Sequence, residues 1–308
     1  MSHPPEPKIA WRGVLPAITT PFDAELKIDH AAVQEHVRWL VDNGCTGIVP
    51  HGSLGESATL SSEEKSELQR SCVAAAAGRV PVVPGIAALS TSEAVVLAKQ
   101  AADNGCAGLM VLPPYAYSTD WREMKAHVST VIRATALPCL LYNNPVAYRT
   151  DFLSEQIAEL ATELSNLEAV KESSTDVRRV TAIRALCGDR LVVGVGVDDA
   201  LVEGVAAGAR FWIAGLANAL PRESVDLFEF AAAGNWQQAR QLYEWFLPLL
   251  RLDTVPKFVQ FIKLVQAAVG KGNSRVRPPR LEAVGAELAE VRAVIKQALA
   301  TRPALLTS

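Results

Sequence analysis

A lysine and a tyrosine each end an apolar run of the kind that forms a buried strand. Lys171 follows Leu167-Glu-Ala-Val, and Tyr142 follows Pro138-Cys-Leu-Leu. Neighbouring strands lie about 4.8 Å apart, so the two side chains meet if both point inward. Desolvation lowers the pKa of a lysine, and its free amine can attack a carbonyl carbon while a tyrosine moves the protons. The pair predicts Schiff-base chemistry, with Lys171 as nucleophile and Tyr142 as acid and base.

Each of these residues also has an ordinary structural interpretation. Lys171 beside Glu172 is compatible with a solvated strand end, and a single tyrosine such as Tyr142 often belongs to a core with its hydroxyl satisfied. The positions of Lys171 and Tyr142 at adjacent strand ends favour the catalytic interpretation.

A loop of small residues, Gly52-Ser-Leu-Gly-Glu56, leads towards a predicted helix. Backbone N–H groups from Ser53 to Gly55, together with the Ser53 hydroxyl, are suited to hold a carboxylate. The motif alone is an ordinary turn, but with Lys171 opposite it predicts an anchor for the carboxylate of a 2-oxo acid. Metal-assisted aldol chemistry is the rival within enzymes, and it lacks ligands because His51 is the only one of five histidines at a strand end.

These residues need a framework that brings many strand ends together. Eight strands are predicted, at 14–19, 47–50, 82–86, 108–112, 138–142, 167–171, 191–195 and 211–215. Helices are predicted between and after them, at 30–43, 62–77, 92–104, 121–134, 152–163, 177–186, 200–207 and 222–233. Eight βα units predict an α/β fold, the (β/α)₈ TIM barrel, whose active sites lie at the C-terminal ends of the strands.

The chain after the barrel is predicted to be helical, at 236–250, 255–270 and 281–300. We therefore expect a barrel over residues 1–234 and a C-terminal helical extension over residues 235–308. Gly194-Val-Gly196 follows a strand as a dinucleotide-binding turn would, but the third glycine of that motif is missing. No cofactor is predicted there.

Composition and charge restrict the class of protein. The chain has 308 residues, 49% of them hydrophobic and 20% charged, with a net charge of -3. It lacks the basic excess that a phosphate backbone requires, so nucleic acid is not an expected partner. We expect no signal peptide, no membrane contact and a cytoplasmic protein, because the N-terminus has no apolar region and charges interrupt residues 191–221. The five cysteines form no CxxC pair, which predicts reduced and mostly buried thiols.

Three motifs, in this order, resemble the dihydrodipicolinate synthase / N-acetylneuraminate lyase family of class I aldolases. They are Gly52-Ser-Leu-Gly-Glu56, Tyr142-Asn-Asn-Pro145 and Val170-Lys-Glu172, and the similarity extends over essentially the whole chain. The resemblance implies a barrel with a helical tail, a homotetramer and no cofactor. It implies that Lys171 is the Schiff-base lysine and Tyr142 the proton shuttle. It further implies carboxylate binding at Ser53 and Leu54, with Gly196 and Ile213 lining the pocket through backbone atoms.

The sequence departs from the namesake synthase at three substrate contacts. The resemblance implies two threonines where the chain has Ser53 and Leu54, a neighbouring subunit's tyrosine where it has Ala116, and an arginine where it has Ala147. Arg149 is either a replacement for that arginine or a loop charge, and Tyr115 or Tyr117 either replaces the tyrosine or fills the barrel mouth. We therefore expect a poor dihydrodipicolinate synthase.

The variable segments are similar to the family branch that deaminates 1-pyrroline-4-hydroxy-2-carboxylate in hydroxyproline breakdown. These segments are 142–148, 171–179, 245–253 and 276–280. The similarity implies that 2-oxoglutarate semialdehyde and ammonia are the products. The alternatives that remain open are dihydrodipicolinate synthase, a sugar-acid (2-keto-3-deoxy acid) aldolase or dehydratase, and a barrel that only binds a ligand.

Overall fold

The computed structural model describes residues 9–115 and 120–303. Its strands are β1 Gly13–Pro16, β2 Gly85–Ile86, β3 Leu109–Val111, β4 Cys139–Asn143, β5 Leu167–Glu172, β6 Val192–Val195 and β7 Phe211–Ala214. They form one parallel sheet in the order β1-β7-β6-β5-β4-β3-β2. The first and the last strand along the chain are therefore neighbours, as in a curled sheet, and seven of the eight predicted strands are confirmed.

The strand predicted at 47–50 is not formed as a regular strand. This segment contributes only two isolated parallel bridges, from Val49 to Ala17 and from Ile48 to Val82. Pro16 and Pro50 have no N–H to donate, which interrupts the ladder on the two sides of this segment, although Val49 still donates to the carbonyl of Pro16 and Gly85 to that of Pro50. The segment nevertheless bonds to both edges of the sheet, since Ala17 directly follows β1 and Val82 lies just before β2.

Twelve α-helices surround and extend this sheet in the described residues. They are α1 His30–Asp42, α2 Ser62–Ala76, α3 Thr91–Asp103, α4 Trp121–Ile132, α5 Pro145–Tyr148, α6 Ser154–Glu163, α7 Arg178–Cys187, α8 Leu201–Ala206, α9 Pro221–Ala232, α10 Trp236–Leu250, α11 Phe258–Ala268 and α12 Gly285–Ala300. Side-chain caps set several of the starts, as where Asp29 accepts from the N–H of Ala32 and Ser61 from that of Glu64. The short α5 was not predicted, and it begins with Pro145 behind the cap residue Asn144.

The C-terminal helices are joined to the rest of the fold by helix packing and by a buried ion pair. Helix α10 packs on α9, and α12 packs on α10. From α11, the buried Nζ of Lys263 lies 2.6 Å from Oε1 of Glu56 and donates to the carbonyl of Thr20 at 2.9 Å. The predicted boundary after residue 234 falls in the turn between α9 and α10.

All five cysteines are free thiols, and four are buried, as predicted, while Cys187 is half-buried. In the part of the chain that the structure describes, no helix has the length and apolar character needed to cross a membrane.

Candidate active site

Lys171 and Tyr142 are register partners on adjacent parallel strands, β5 and β4. The Nζ of Lys171 lies 3.9 Å from the centroid of the Tyr142 ring, and the two residues are only 6% and 5% exposed. Glu172 points to the other face of the strand, where it accepts a hydrogen bond from Nδ2 of Asn143 at 3.0 Å. A solvated strand end is therefore contradicted by the burial of Lys171.

Burial sets the protonation of both groups. It lowers the pKa of Lys171 to about 8, although the nearby carboxylates of Asp253 and Asp198 act in the opposite direction. More of the amine is therefore free at neutral pH than in an ordinary lysine. Burial raises the pKa of Tyr142 to about 12, against a smaller opposing effect of the hydrogen bond that Asn144 donates to its hydroxyl. The phenol is therefore protonated at neutral pH and can act first as an acid.

A further tyrosine, Tyr148 at the end of α5, completes an aromatic wall. Its hydroxyl is hydrogen-bonded to Oγ of Ser53, which connects the carboxylate loop to α5. Its ring meets Tyr142 edge-on with centroids 5.7 Å apart, and it meets Tyr115 at 5.5 Å. Sequence reasoning gave Tyr148 no role, because without the short helix α5 nothing places its side chain next to Ser53.

The predicted carboxylate loop is held rigidly at its end. Glu56 has a left-handed φ of 57° and is fully buried against Lys263, and its second oxygen accepts from the N–H of Arg277 at 3.0 Å. Among the described residues, no backbone carbonyl accepts from the N–H groups of Ser53, Leu54 or Gly55. These three N–H groups therefore have no backbone acceptor within the described part of the chain, and the carboxylate site expected at this loop stays a prediction.

Gly196 lies against the predicted nucleophile. A Cβ at this position would come within 2.3 Å of Cε of Lys171, so only glycine leaves space for the lysine stem. Ile213 is a buried residue of β7, two strands away from Lys171 in the sheet. The structure therefore places Gly196 at the lysine, whereas Ile213 lies on β7, one strand beyond the neighbouring β6.

The position that lacks the synthase's arginine lies on the exposed side of α5. Ala147 is exposed, and so is Arg149, which has a left-handed φ of 59°. No side-chain hydrogen bond or ion pair of Arg149 occurs within residues 9–115 and 120–303. Ala116 and Tyr117 lie outside the described residues.

Two carboxylates near Lys171 were not predicted from the sequence. Asp198 follows β6 and is fully buried, and it accepts from Nε1 of Trp212 at 2.9 Å and from the N–H of Leu216 at 2.7 Å. Asp253 belongs to the segment between α10 and α11. Asp198 lies in the loop after the predicted strand at 191–195, where no sequence pattern assigns it a role, and Asp253 is far from all predicted strand ends along the chain. Where the structure describes the chain, no three His, Cys, Asp or Glu side chains lie together as a metal site requires.

A curled parallel sheet with helices, and a buried lysine against a tyrosine at adjacent strand ends, define the class of enzyme that holds its substrate as a lysine imine. Comparison with known proteins gives the family. The profile of the dihydrodipicolinate synthetase family matches residues 10–298. The chain belongs to this family of Schiff-base lyases, whose members need no cofactor. Membership of this enzyme family contradicts the alternative of a barrel that only binds a ligand.

Curated relatives and solved structures agree with this assignment. A 4-hydroxy-tetrahydrodipicolinate synthase of Mesorhizobium japonicum is 32% identical over 287 residues, covering 93% of this chain and 98% of the relative. A synthase of the same name from Brucella suis is 33% identical, covering 77% of this chain and 81% of the relative. The structure of dihydrodipicolinate synthase from Bacillus anthracis superposes with a TM-score of 0.90 at 28% identity, covering 96% of this chain and all of that one.

Proposed function

We propose that the protein is a Schiff-base deaminase that converts 1-pyrroline-4-hydroxy-2-carboxylate to 2-oxoglutarate semialdehyde and ammonia. The observation that carries this proposal is at α5. The position where the namesake synthase has an arginine for a second carboxylate is the exposed Ala147, and the side chain of Arg149 is exposed as well. A substrate with a single carboxylate needs no such arginine.

The first half of the reaction uses the lysine and the loop. The N–H groups and hydroxyl of residues 53–55 hold the carboxylate, and the free amine of Lys171 attacks the adjacent ring carbon, C2. The lone pair of the lysine nitrogen then forms the C2=N bond while the bond between C2 and the ring nitrogen breaks. The ring opens to a linear iminium on Lys171 that carries an amino group at C5.

The second half eliminates the hydroxyl. The iminium acidifies C3, and loss of its proton gives an enamine that expels the 4-hydroxyl as water when Tyr142 supplies a proton. A proton then moves from C5 to C4, which makes the C5 amine an iminium and leaves an enamine between C2 and C3. The C5 iminium loses a proton from nitrogen and C3 takes one up, which restores the iminium at C2. Hydrolysis at C5 releases ammonia, and hydrolysis at C2 frees Lys171. One water leaves and two enter, so the net reaction consumes one water.

The second candidate is 4-hydroxy-tetrahydrodipicolinate synthase, which is the name that the curated relatives carry. It requires Arg149 to turn inward and Tyr117 to take over a lost hydroxyl. A sugar-acid dehydratase or aldolase uses the same imine and remains the third possibility, because small changes in side chains decide which substrate is accepted.

A substrate panel separates the candidates. We expect ammonia release from the hydroxypyrroline with a kcat/KM at least about 10²-fold above that for condensation of pyruvate with aspartate semialdehyde, since the second reaction lacks its carboxylate partner. Ammonia, the semialdehyde and pyruvate are measured separately with each substrate. Efficient condensation would establish the synthase instead, and pyruvate from a 2-keto-3-deoxy sugar acid would establish an aldolase.

Imine formation should follow the pKa of Lys171. Only the deprotonated amine attacks carbon, so the rate rises as pH increases through about 8 and levels off above it. The measurement is the initial rate of borohydride-trapped adduct with pyruvate at a series of pH values. A rate that keeps rising tenfold per pH unit to about 10, the range of an ordinary lysine, would contradict the lowered pKa.

A further inference from the structure

Asp253 reaches the site from the C-terminal extension. It ends the 3₁₀ turn Arg251–Asp253, which connects α10 to α11 and packs against the turn that follows β6. On the outside of this contact, Nε of Arg251 lies 3.5 Å from Oδ2 of Asp199. The extension therefore contributes a side chain to the barrel mouth as well as packing against the barrel.

The Asp253 carboxylate occupies space that a glycine leaves open. A Cβ on Gly215, just after β7, would lie 2.1 Å from Oδ1 and 2.9 Å from Oδ2 of Asp253. Of the charged groups near Lys171, Asp253 raises the pKa of its amine most, ahead of Asp198. Its field also reaches the Tyr142 hydroxyl. The carboxylate therefore lies beside Gly215 at the end of β7, and its charge acts on the pKa of both reacting groups.

The two neighbouring carboxylates differ in how they are satisfied. Asp198 accepts from an indole and from two backbone N–H groups, so its oxygens are fixed within the fold. Oδ1 of Asp253 is buried and has no hydrogen-bond partner among the described residues. A buried carboxylate oxygen without a partner costs free energy, and such atoms are rare unless a ligand or a reaction uses them.

Asp253 and the carboxylate loop approach Lys171 from different sides. Ser53 is bonded to Tyr148, which follows β4, while Asp253 lies against Gly215, which follows β7. The strand order is β4-β5-β6-β7, with the lysine on β5. A substrate whose carboxylate is on the loop and whose C2 is at Lys171 can therefore direct another group towards Asp253.

We propose that Asp253 is a catalytic residue that gives a proton to the ring nitrogen as its bond to C2 breaks, and then holds the resulting ammonium as an ion pair. The inference rests on the proposed function, because it takes the substrate to be a cyclic imine. The substrate binds as the protonated cyclic imine, and the attacking lysine amine passes one of its protons to the ring nitrogen. As the bond to C2 breaks, the bond pair stays on this nitrogen, which takes a third proton from the carboxylic acid, so that an ammonium is left beside a carboxylate. Burial and the proximity of Asp198 raise the pKa of Asp253 well above its usual range, which keeps the proton available for this step.

Two probes of equal carbon number test this assignment. 1-Pyrroline-2-carboxylate opens on the lysine to an imine with a terminal amine. 2-Oxopentanoate forms the corresponding lysine imine without the terminal amine. Neither has a hydroxyl to eliminate, so the test is independent of turnover. The readout is the probe concentration that gives half-maximal borohydride-trapped adduct at Lys171, followed by intact-protein and peptide mass.

Asp253→Asn should raise this concentration for the pyrroline by about 10- to 100-fold, the range expected for a lost charged hydrogen bond. For 2-oxopentanoate we expect less than about a threefold change, since any effect on the lysine itself applies equally to both probes. Asp199→Asn is the matched control, because it removes another carboxylate from the same edge, the one that pairs with Arg251. It should leave the half-maximal concentrations of both probes near those of the wild type.

The outcomes distinguish the two proposals. A normal pyrroline adduct that Asp253→Asn leaves unchanged, or an equal change for both probes, would refute the role of Asp253 alone. No pyrroline adduct in the wild type, beside a normal one from 2-oxopentanoate, would overturn the cyclic-imine function and the role of Asp253 with it.

Discussion

Lys171→Met should reduce turnover by on the order of 10⁴-fold or more and remove every borohydride-trapped adduct. Methionine keeps an unbranched apolar stem against Tyr142 and Gly196 but has no nucleophile. Without the amine there is no covalent iminium, so neither C3 nor the leaving group is activated. The measurement is steady-state ammonia release with the hydroxypyrroline, together with adduct mass after reduction with pyruvate.

The control for this variant is a lysine outside the barrel mouth. Lys257 is exposed and pairs with Glu287 at 2.6 Å, so Lys257→Met should keep full activity and adduct yield. Thermal unfolding of Lys171→Met should remain cooperative and close to that of the wild type, because the substitution removes a buried amine without opening a large cavity. An adduct on another lysine, with activity retained, would move the nucleophile away from Lys171.

The juxtaposition of Lys171 and Tyr142 could be predicted because it follows from strand geometry alone. Two apolar runs that end in polar residues, on successive βα units, become parallel neighbours whose ends lie at the same edge. The register Tyr142 to Lys171 is of this kind. Burial then follows from the apolar runs themselves, and burial is the main cause of the lowered lysine pKa.

The rest of the site depends on contacts that periodicity does not encode. The packing of the C-terminal helices brings Asp253 to Gly215, and no local sequence motif predicts that contact. Tyr148 reaches Ser53 only because Asn144 caps a four-residue helix, which is too short to give a periodic pattern. The segment at 47–50 is an apolar run ended by Pro50, and this pattern predicts a strand. The structure has two isolated bridges there instead.

Tyr142→Phe should slow turnover by about 10² to 10⁴, the range typical of a lost general acid and base. The phenylalanine ring keeps the edge-on contact with Tyr148, whose centroid lies 5.7 Å away, so the wall of the site stays in place. Removal of the hydroxyl takes away the acid for the departing water and one partner of Asn144, whose Nδ2 donates to it at 2.9 Å. Steady-state ammonia release gives kcat, and substrate saturation gives KM.

The effect should appear in kcat much more than in KM, because in the proposed mechanism the loop at Ser53, and not the phenol, holds the substrate carboxylate. Tyr243→Phe is the matched control: Tyr243 lies on α10, and its hydroxyl bonds to the carbonyl of Asp199 and to Glu203, away from Lys171. That variant should turn over at the wild-type rate. Near-normal kcat in Tyr142→Phe would reduce this tyrosine to a packing residue. The proton transfers at C3 and at the leaving hydroxyl would then need another group, and Asp253, whose charge acts on the pKa of both Tyr142 and Lys171, is the candidate to test next.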